Sequence, residues 1–159
     1  MAKIYLETFI NAPIERVFDL ARSIDLHKLS TKGTKEEAIA GRTTGLIRFN
    51  ETVTWRAKHF GVYQTLTVVV TQFDRPNLFA DKMVKGSFAS MHHLHTFATM
   101  NKGTKMTDIF EFTSPLGFLG RLANAIFLKA YMTKFLSIRN QELKAVAEGD
   151  KWKMIIEDK

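Results

Sequence analysis

Residues 105–136 read KMTDIFEFTSPLGFLGRLANAIFLKAYMTKFL, and a change of apolar period inside this stretch decides the fold. Up to Thr113 the side chains alternate, so Met106, Asp108, Phe110 and Phe112 share one face of a strand. Beyond Ser114-Pro115-Leu116-Gly117 the spacing becomes helical. Apolar residues recur at Leu119, Leu122, Ala123, Ile126, Phe127, Ala130 and Tyr131, then at Phe135, Leu136, Ile138, Leu143 and Val146, to about Glu148. The first half of this helix is apolar around more than one stripe, because Phe118, Leu128 and Met132 add to it. Burial against both a sheet and other helices explains that, as does a lid over a ligand cavity, a dimer face or a membrane-surface patch.

Working outward, residues 3–10 alternate loosely and read as a first strand. A helix is expected from Asn11 or Ala12, with Pro13 and Glu15 in its first turn and Ile14, Val17, Phe18 and Ala21 at helical spacing. A second short helix is expected over 23–29, then a polar loop over 31–35. Strands follow at 36–40, 46–59, 62–73, 78–85, 87–100 and 105–113, with Gly41, Gly45, Gly61, Gly86 and Gly103 at the breaks. Asn101-Lys102-Gly103 reads as a hairpin turn. Such short connections require antiparallel pairing. The expectation is an α+β fold: a curved antiparallel sheet of about seven strands wrapping a long C-terminal helix, with two short helices after strand 1. A space between sheet and helix suits a small-molecule pocket.

The chain has 159 residues and no cysteine, so one domain over 1–159 is expected, without disulfides, thiolate nucleophiles or Cys-ligated metals. Its 13 Phe ask for a large apolar interior or cavity. The net charge of +7 suggests an acidic partner or a solvated basic surface. Lys28, Lys32, Lys35, Arg42 and Arg48 cluster loosely, and Lys129, Lys134 and Arg139 lie on the long helix. No nucleic-acid motif organises them, so no specific nucleic acid is expected. No transmembrane segment is expected either, since the most apolar stretch, 116–136, is broken by Arg121, Lys129 and Lys134. A cytoplasmic monomer or homodimer is the default. The charged tail 149–159, around Trp152 and Met154-Ile155-Ile156, is expected to fray or to add an edge strand.

Several local patterns carry a family resemblance. They are Ala12-Pro13-Ile14-Glu15-Arg16-Val17-Phe18, the run 51–61 (ETVTWRAKHFG), and Pro76, Phe79, Asp81 and Met83. Gly86-Ser87-Phe88 and His93-Leu94-His95-Thr96-Phe97 follow, then Gly103-Thr104, Asp108, Pro115-Leu116-Gly117 and Leu119-Gly120. Over about residues 2–148 the chain resembles the START-like (SRPBCC, helix-grip, Bet v 1-like) superfamily, and within it bacterial polyketide cyclase/dehydrase-type ligand-binding proteins. The resemblance implies a deep, largely hydrophobic cavity between sheet and C-terminal helix, and no universal catalytic residue. Activity does not follow from the fold, which hosts carriers, cyclases and receptors alike.

Strand parity nominates the polar residues of that cavity. Met91, His93, His95 and Phe97 share a face, as do Glu51, Val53, Trp55, Ala57 and His59, and as do Met106, Asp108, Phe110 and Phe112. The candidate ligand-binding set is therefore Glu51, Trp55, His59, Phe79, Met91, His93, His95, Phe97, Asp108 and Phe110, with Ile126 and Phe127 from the helix. Three roles are open to the histidines: neutral, hydrogen-bonded structural groups; orientation of a polar ligand atom; or metal binding and acid–base chemistry. No resident metal or cofactor is expected. HExxH, GxSxG, Walker A and GxGxxG patterns are absent. The preferred reading is binding of a small hydrophobic ligand of lipid, isoprenoid or polyketide/aromatic type. One alternative is a cyclase, dehydrase or hydrolase using His93, His95 and Asp108. Another is a ribosome- or membrane-associated interaction protein. Trp55, Phe79 and Phe88 serve either stacking or core packing, and Gly117 and Gly120 mark a helix-start turn or a cavity mouth.

Overall fold

The computed structural model describes residues 1–115, 117 and 124–157. Strand β1 (Ala2–Ile10) leads into helices α1 (Ile14–Ala21) and α2 (Ile24–Ser30) and a short 3₁₀ turn (Lys32–Thr34). Six strands follow: β2 (Glu37–Gly41), β3 (Thr52–His59), β4 (Val62–Asp74), β5 (Leu78–Lys85), β6 (Ser90–Met100) and β7 (Gly103–Thr113). A π-helical turn (Asn124–Leu128) runs into the long helix α3 (Lys129–Glu148). The strands form one antiparallel sheet in the order β1-β7-β6-β5-β4-β3-β2. Among the described residues, no helix is long and apolar enough to cross a membrane. The helical positions expected at Phe118, Leu119, Leu122 and Ala123, and Gly120 beside them, lie outside the described residues.

Local chemistry sets the element ends. Helix α1 begins at Ile14 rather than Asn11, because Pro13 holds an extended conformation just ahead of it and has no N–H to leave unpaired. Ser23 caps α2 by accepting the Leu26 N–H at 3.1 Å. The expected strand 46–59 is half loop. The Glu51 carboxylate captures the Arg48 N–H at 2.8 Å and Asn50 takes φ +63°, so extended pairing begins only at Thr52. Gly103 sits where an added Cβ would lie 2.6 Å from the Ile10 carbonyl oxygen, a close approach open only to glycine. The described part of the tail adds no strand to the sheet. Residues Lys153–Glu157 form a helical turn, Ile155 is buried, and the Arg16 guanidinium lies 3.9 Å above the Trp152 ring.

The interior has two parts. One lies under α1, where Phe18 meets Phe73, Phe79 and Phe97 edge-on at ring separations of 5.4, 5.4 and 5.2 Å. Leu143, Val146 and Ile155 close it. The other holds Ile4, Val53, Trp55, Val68, Met91, Phe110 and Phe112 on the sheet and Met132 and Leu136 on α3. Helix α3 makes its main backbone approaches to β1, α1 and α2, at one edge of the sheet and over the short helices. The concave face of the middle strands is thereby left open to a cavity.

Candidate functional site

A cavity of about 370 Å³ lies between the sheet and α3. Trp55, Ala57 and His59 of β3, Leu66 and Val68 of β4, Met91 and His93 of β6, and Phe110 of β7 line its sheet side. Leu128, Tyr131, Met132, Phe135, Leu136 and Arg139 line its helix side. Phe60 and Phe127 stand at the rim, both more than half exposed, with rings 5.5 Å apart. A smaller space of about 80 Å³ adjoins the inner end, and the two share His27, Trp55, Val68, Asp81, His93 and Arg139.

The nominated residues divide accordingly. Trp55, His59, Met91, His93, Phe110 and Phe127 border the main cavity. Phe79 and His95 border only the smaller one. Asp108 is fully buried behind the wall and Phe97 belongs to the core under α1. Glu51 lies in the loop before β3, where it takes the Arg42 Nε–H at 3.0 Å, so its parity with Trp55 does not carry it to the cavity. Ile126 is 74% exposed and points away, because the turn containing it is π-helical and its spacing departs from the α-helical period.

Register brings the buried polar groups together. His95 pairs with Asp108 across β6 and β7, and His93 pairs with Asp81 across β5 and β6. One Asp108 oxygen lies 2.9 Å from His93 Nε2, and the other accepts the Asn140 side-chain N–H at 2.6 Å. Burial alone would raise the Asp108 carboxyl, but the two histidines beside it outweigh that and hold it well below the usual carboxylate range. Asp108 is thus an acceptor, and His93 Nε2 carries the hydrogen. Burial, reinforced by charge on His95, pushes His93 down to about 4. For His95 burial acts downward too, yet Asp108 and Asp81 together raise it. Its Nδ1 sits 2.9 Å from Asp108 Oδ1 without the alignment of a hydrogen bond, which makes this a charge contact. The two rings, with centroids 3.8 Å apart, are thus pushed in opposite directions, His93 down and His95 up.

A second polar group lies across the cavity. His59 Nδ1 and the Tyr131 hydroxyl are 2.7 Å apart, and burial lowers His59 and raises Tyr131. His27 stacks on Trp55 at 4.1 Å and its Nε2 lies 3.1 Å from Glu36. Burial pushes the Glu36 carboxyl up, but the adjacent His27 outweighs it and the net shift is down.

Asp81, His93 and His95 present ligand atoms within 4.8 Å of one another, a set whose chemistry suits a divalent cation. His93 Nε2 already serves Asp108, while His95 Nε2 faces Asp81 at 3.6 Å within the set itself. The Arg139 charge acts on both Asp81 and His95, which opposes a cation there.

The site set nominated from sequence omits Arg139, Asn140, Asp81, Glu36, His27 and Tyr131. Their signals are present in the chain. Met132, Leu136, Leu143 and Val146 define the inward stripe of α3, and Arg139 and Asn140 fall within it. Arg139 is accordingly buried, not part of a solvated basic face. Asp81 shares a strand face with Phe79 and Met83.

Known proteins with this architecture support the geometry. A protein of Thermus thermophilus, TTHA0849, aligns at a TM-score of 0.71 and 18% identity, over 92% of this chain and 99% of its own. Ginseng (Panax ginseng) major latex-like protein 151 aligns at 0.69 and 15%, over 93% and 98%. The protein solved as the Aha1 dimer from Colwellia psychrerythraea aligns at 0.63 and 13%, over 93% and 97%. At these identities the likeness is one of fold. No curated protein matches the chain. The family model described as polyketide cyclase / dehydrase and lipid transport matches residues 1–148. With that match over nearly its whole length, the chain belongs to the polyketide cyclase / dehydrase and lipid transport family of the START-like (SRPBCC) superfamily.

Proposed function

We propose that the protein binds a small hydrophobic ligand, of lipid, isoprenoid or polyketide type, in the cavity between the sheet and α3. The carrying observation is the cavity of about 370 Å³, within the range of ligand pockets and walled by Trp55, Met91, Phe110, Tyr131, Met132 and Phe135. Burying apolar ligand surface there supplies affinity at roughly 25 cal/mol per Å², before the costs of ordering. The aromatic rim and the buried polar groups then fix orientation. A cytoplasmic location and a monomeric or dimeric state belong to the same proposal.

The neutral fluorophore N-phenyl-1-naphthylamine tests it. We expect saturable fluorescence enhancement, together with a co-purified apolar molecule in native mass spectra of protein from its host. Placing a charge on the cavity floor, as in Met91→Glu, should abolish the enhancement. Fluorescence that never saturates, or that persists in a folded Met91→Glu variant, overturns the proposal.

The cyclase or dehydrase alternative draws on His93, His95 and Asp108. Of these only His93 borders the main cavity, and a histidine held near 4 is a weak base at neutral pH. Binding is the reading with more support.

A further inference from the structure

Arg139 is 5% exposed, lines the inner end of the cavity, and has no side-chain hydrogen bond or ion pair among the described residues. Every other arginine that the structure pairs or stacks lies nearer the surface. Arg22 and Arg75 hold Asp19 at 2.8 Å each, Arg42 holds Glu51, Arg16 covers Trp152 and Arg56 covers Tyr63. Its nitrogens are not sealed off but open onto the cavity, so an acceptor that enters there can reach them.

The neighbouring carboxylates do not fill that role. Asp108 is committed to His93, His95 and Asn140. Asp81 leans toward His95 at 3.6 Å and makes no ion pair with Arg139. Both act on the local field from beyond contact distance, so the inner end is not strongly cationic. A singly charged, planar acceptor suits it, whereas a dianion would meet two fixed carboxylates at the same end. The guanidinium fork matches a carboxylate with two parallel N–H···O bonds. The His59–Tyr131 pair lies toward the rim, beside Phe60, and the one guanidinium among the described lining residues lies at the other end. The cavity's inner end carries Arg139, Asp81 and His93, and its rim carries Phe60 and Phe127.

Resting on the hydrophobic-ligand reading above, we propose that the ligand is a monocarboxylate with an apolar body, bound carboxylate inward on Arg139. Its apolar part runs past Trp55, Met132 and Phe135 to the rim.

The test is displacement of N-phenyl-1-naphthylamine by dodecanoic acid, dodecanol and methyl dodecanoate at neutral pH, on the wild type, Arg139→Gln and Arg139→Lys. In the wild type, dodecanoate should bind about ten-fold or more tighter than the alcohol or ester. In Arg139→Gln that preference should vanish, with the alcohol and ester changed less than about two-fold, and in Arg139→Lys part of it should survive. Equal binding of acid, alcohol and ester by the wild type overturns the inference, and this comparison needs no variant to fold. So does an acid preference that persists in a folded Arg139→Gln protein. A fluorophore that itself fails to bind removes the hydrophobic-ligand reading instead, and the carboxylate inference with it.

Discussion

Asp108 accepts from His93 and Asn140 and faces His95, three partners on one fully buried carboxylate. Such a cluster links stability to pH. His93 is lowered from 6.5 to about 4, so its contribution is fully present above pH 6.5 and is lost as pH falls toward 4. On this shift the loss is on the order of 3 kcal/mol. Asp108 is lowered as well, and its contribution disappears at still more acid pH. His95 is raised, so its contribution is complete below 6.5 and is lost as pH climbs through its folded value. Urea midpoints should therefore peak close to neutrality and fall on both sides. Replacing the titrating ring, His93→Gln, should flatten the limb between pH 6.5 and 4. An unchanged acid limb in that variant would place the linkage elsewhere. At this scale the sequence was informative about which histidines face inward, because alternation fixes the parity of Met91, His93, His95 and Phe97. It said nothing of the pairing of His95 with Asp108, since register depends on partner strands.

The β3–β4 hairpin turns over Phe60-Gly61, with His59 and Val62 paired across it and both turn residues at positive φ, +54° and +77°. Glycine takes that conformation freely, whereas a phenylalanine there costs about 1–2 kcal/mol. The ring is compensated by its place at the cavity rim, 4.6 Å from Tyr131 and 5.5 Å from Phe127. Phe60→Asn relieves the backbone and removes the ring. We expect a stability gain of up to about 1 kcal/mol by urea unfolding, with faster dissociation of bound fluorophore by stopped flow. A loss of stability would show that the ring contacts outweigh the strain. Elements with strong periods, such as α3 and β4 to β7, were legible from composition and spacing. Residues 46–51 read as strand because Leu46, Ile47 and Phe49 carry strand-forming side chains, but they form a loop. The Glu51 contact that bends them is a tertiary and loop effect invisible to alternation.

Across the whole molecule, the C-terminal turn ties the end of the chain to α1. Ile155 is 8% exposed within the core under α1, and Arg16 covers Trp152. Ile155→Ala should lower unfolding free energy by about 2–4 kcal/mol in urea, the cost of emptying a core site that relaxes only in part. Wild-type stability in that variant would mean the turn undocks in solution. The tail's four apolar residues amid charges left its docking open, because only the placement of α1 creates the surface it covers. The sequence by itself determined the element order, the antiparallel sheet and the inward faces of its strands, since those follow from local period, turn chemistry and short connections. Only the tertiary structure decided that Glu51 and Ile126 lie away from the cavity, that Asp81 joins His93 and His95, and that Arg139 is buried at its inner end without a hydrogen bond or ion pair among the described residues. Those facts depend on register and on how α3 lies over the sheet, and both are fixed by contacts between residues distant in the chain.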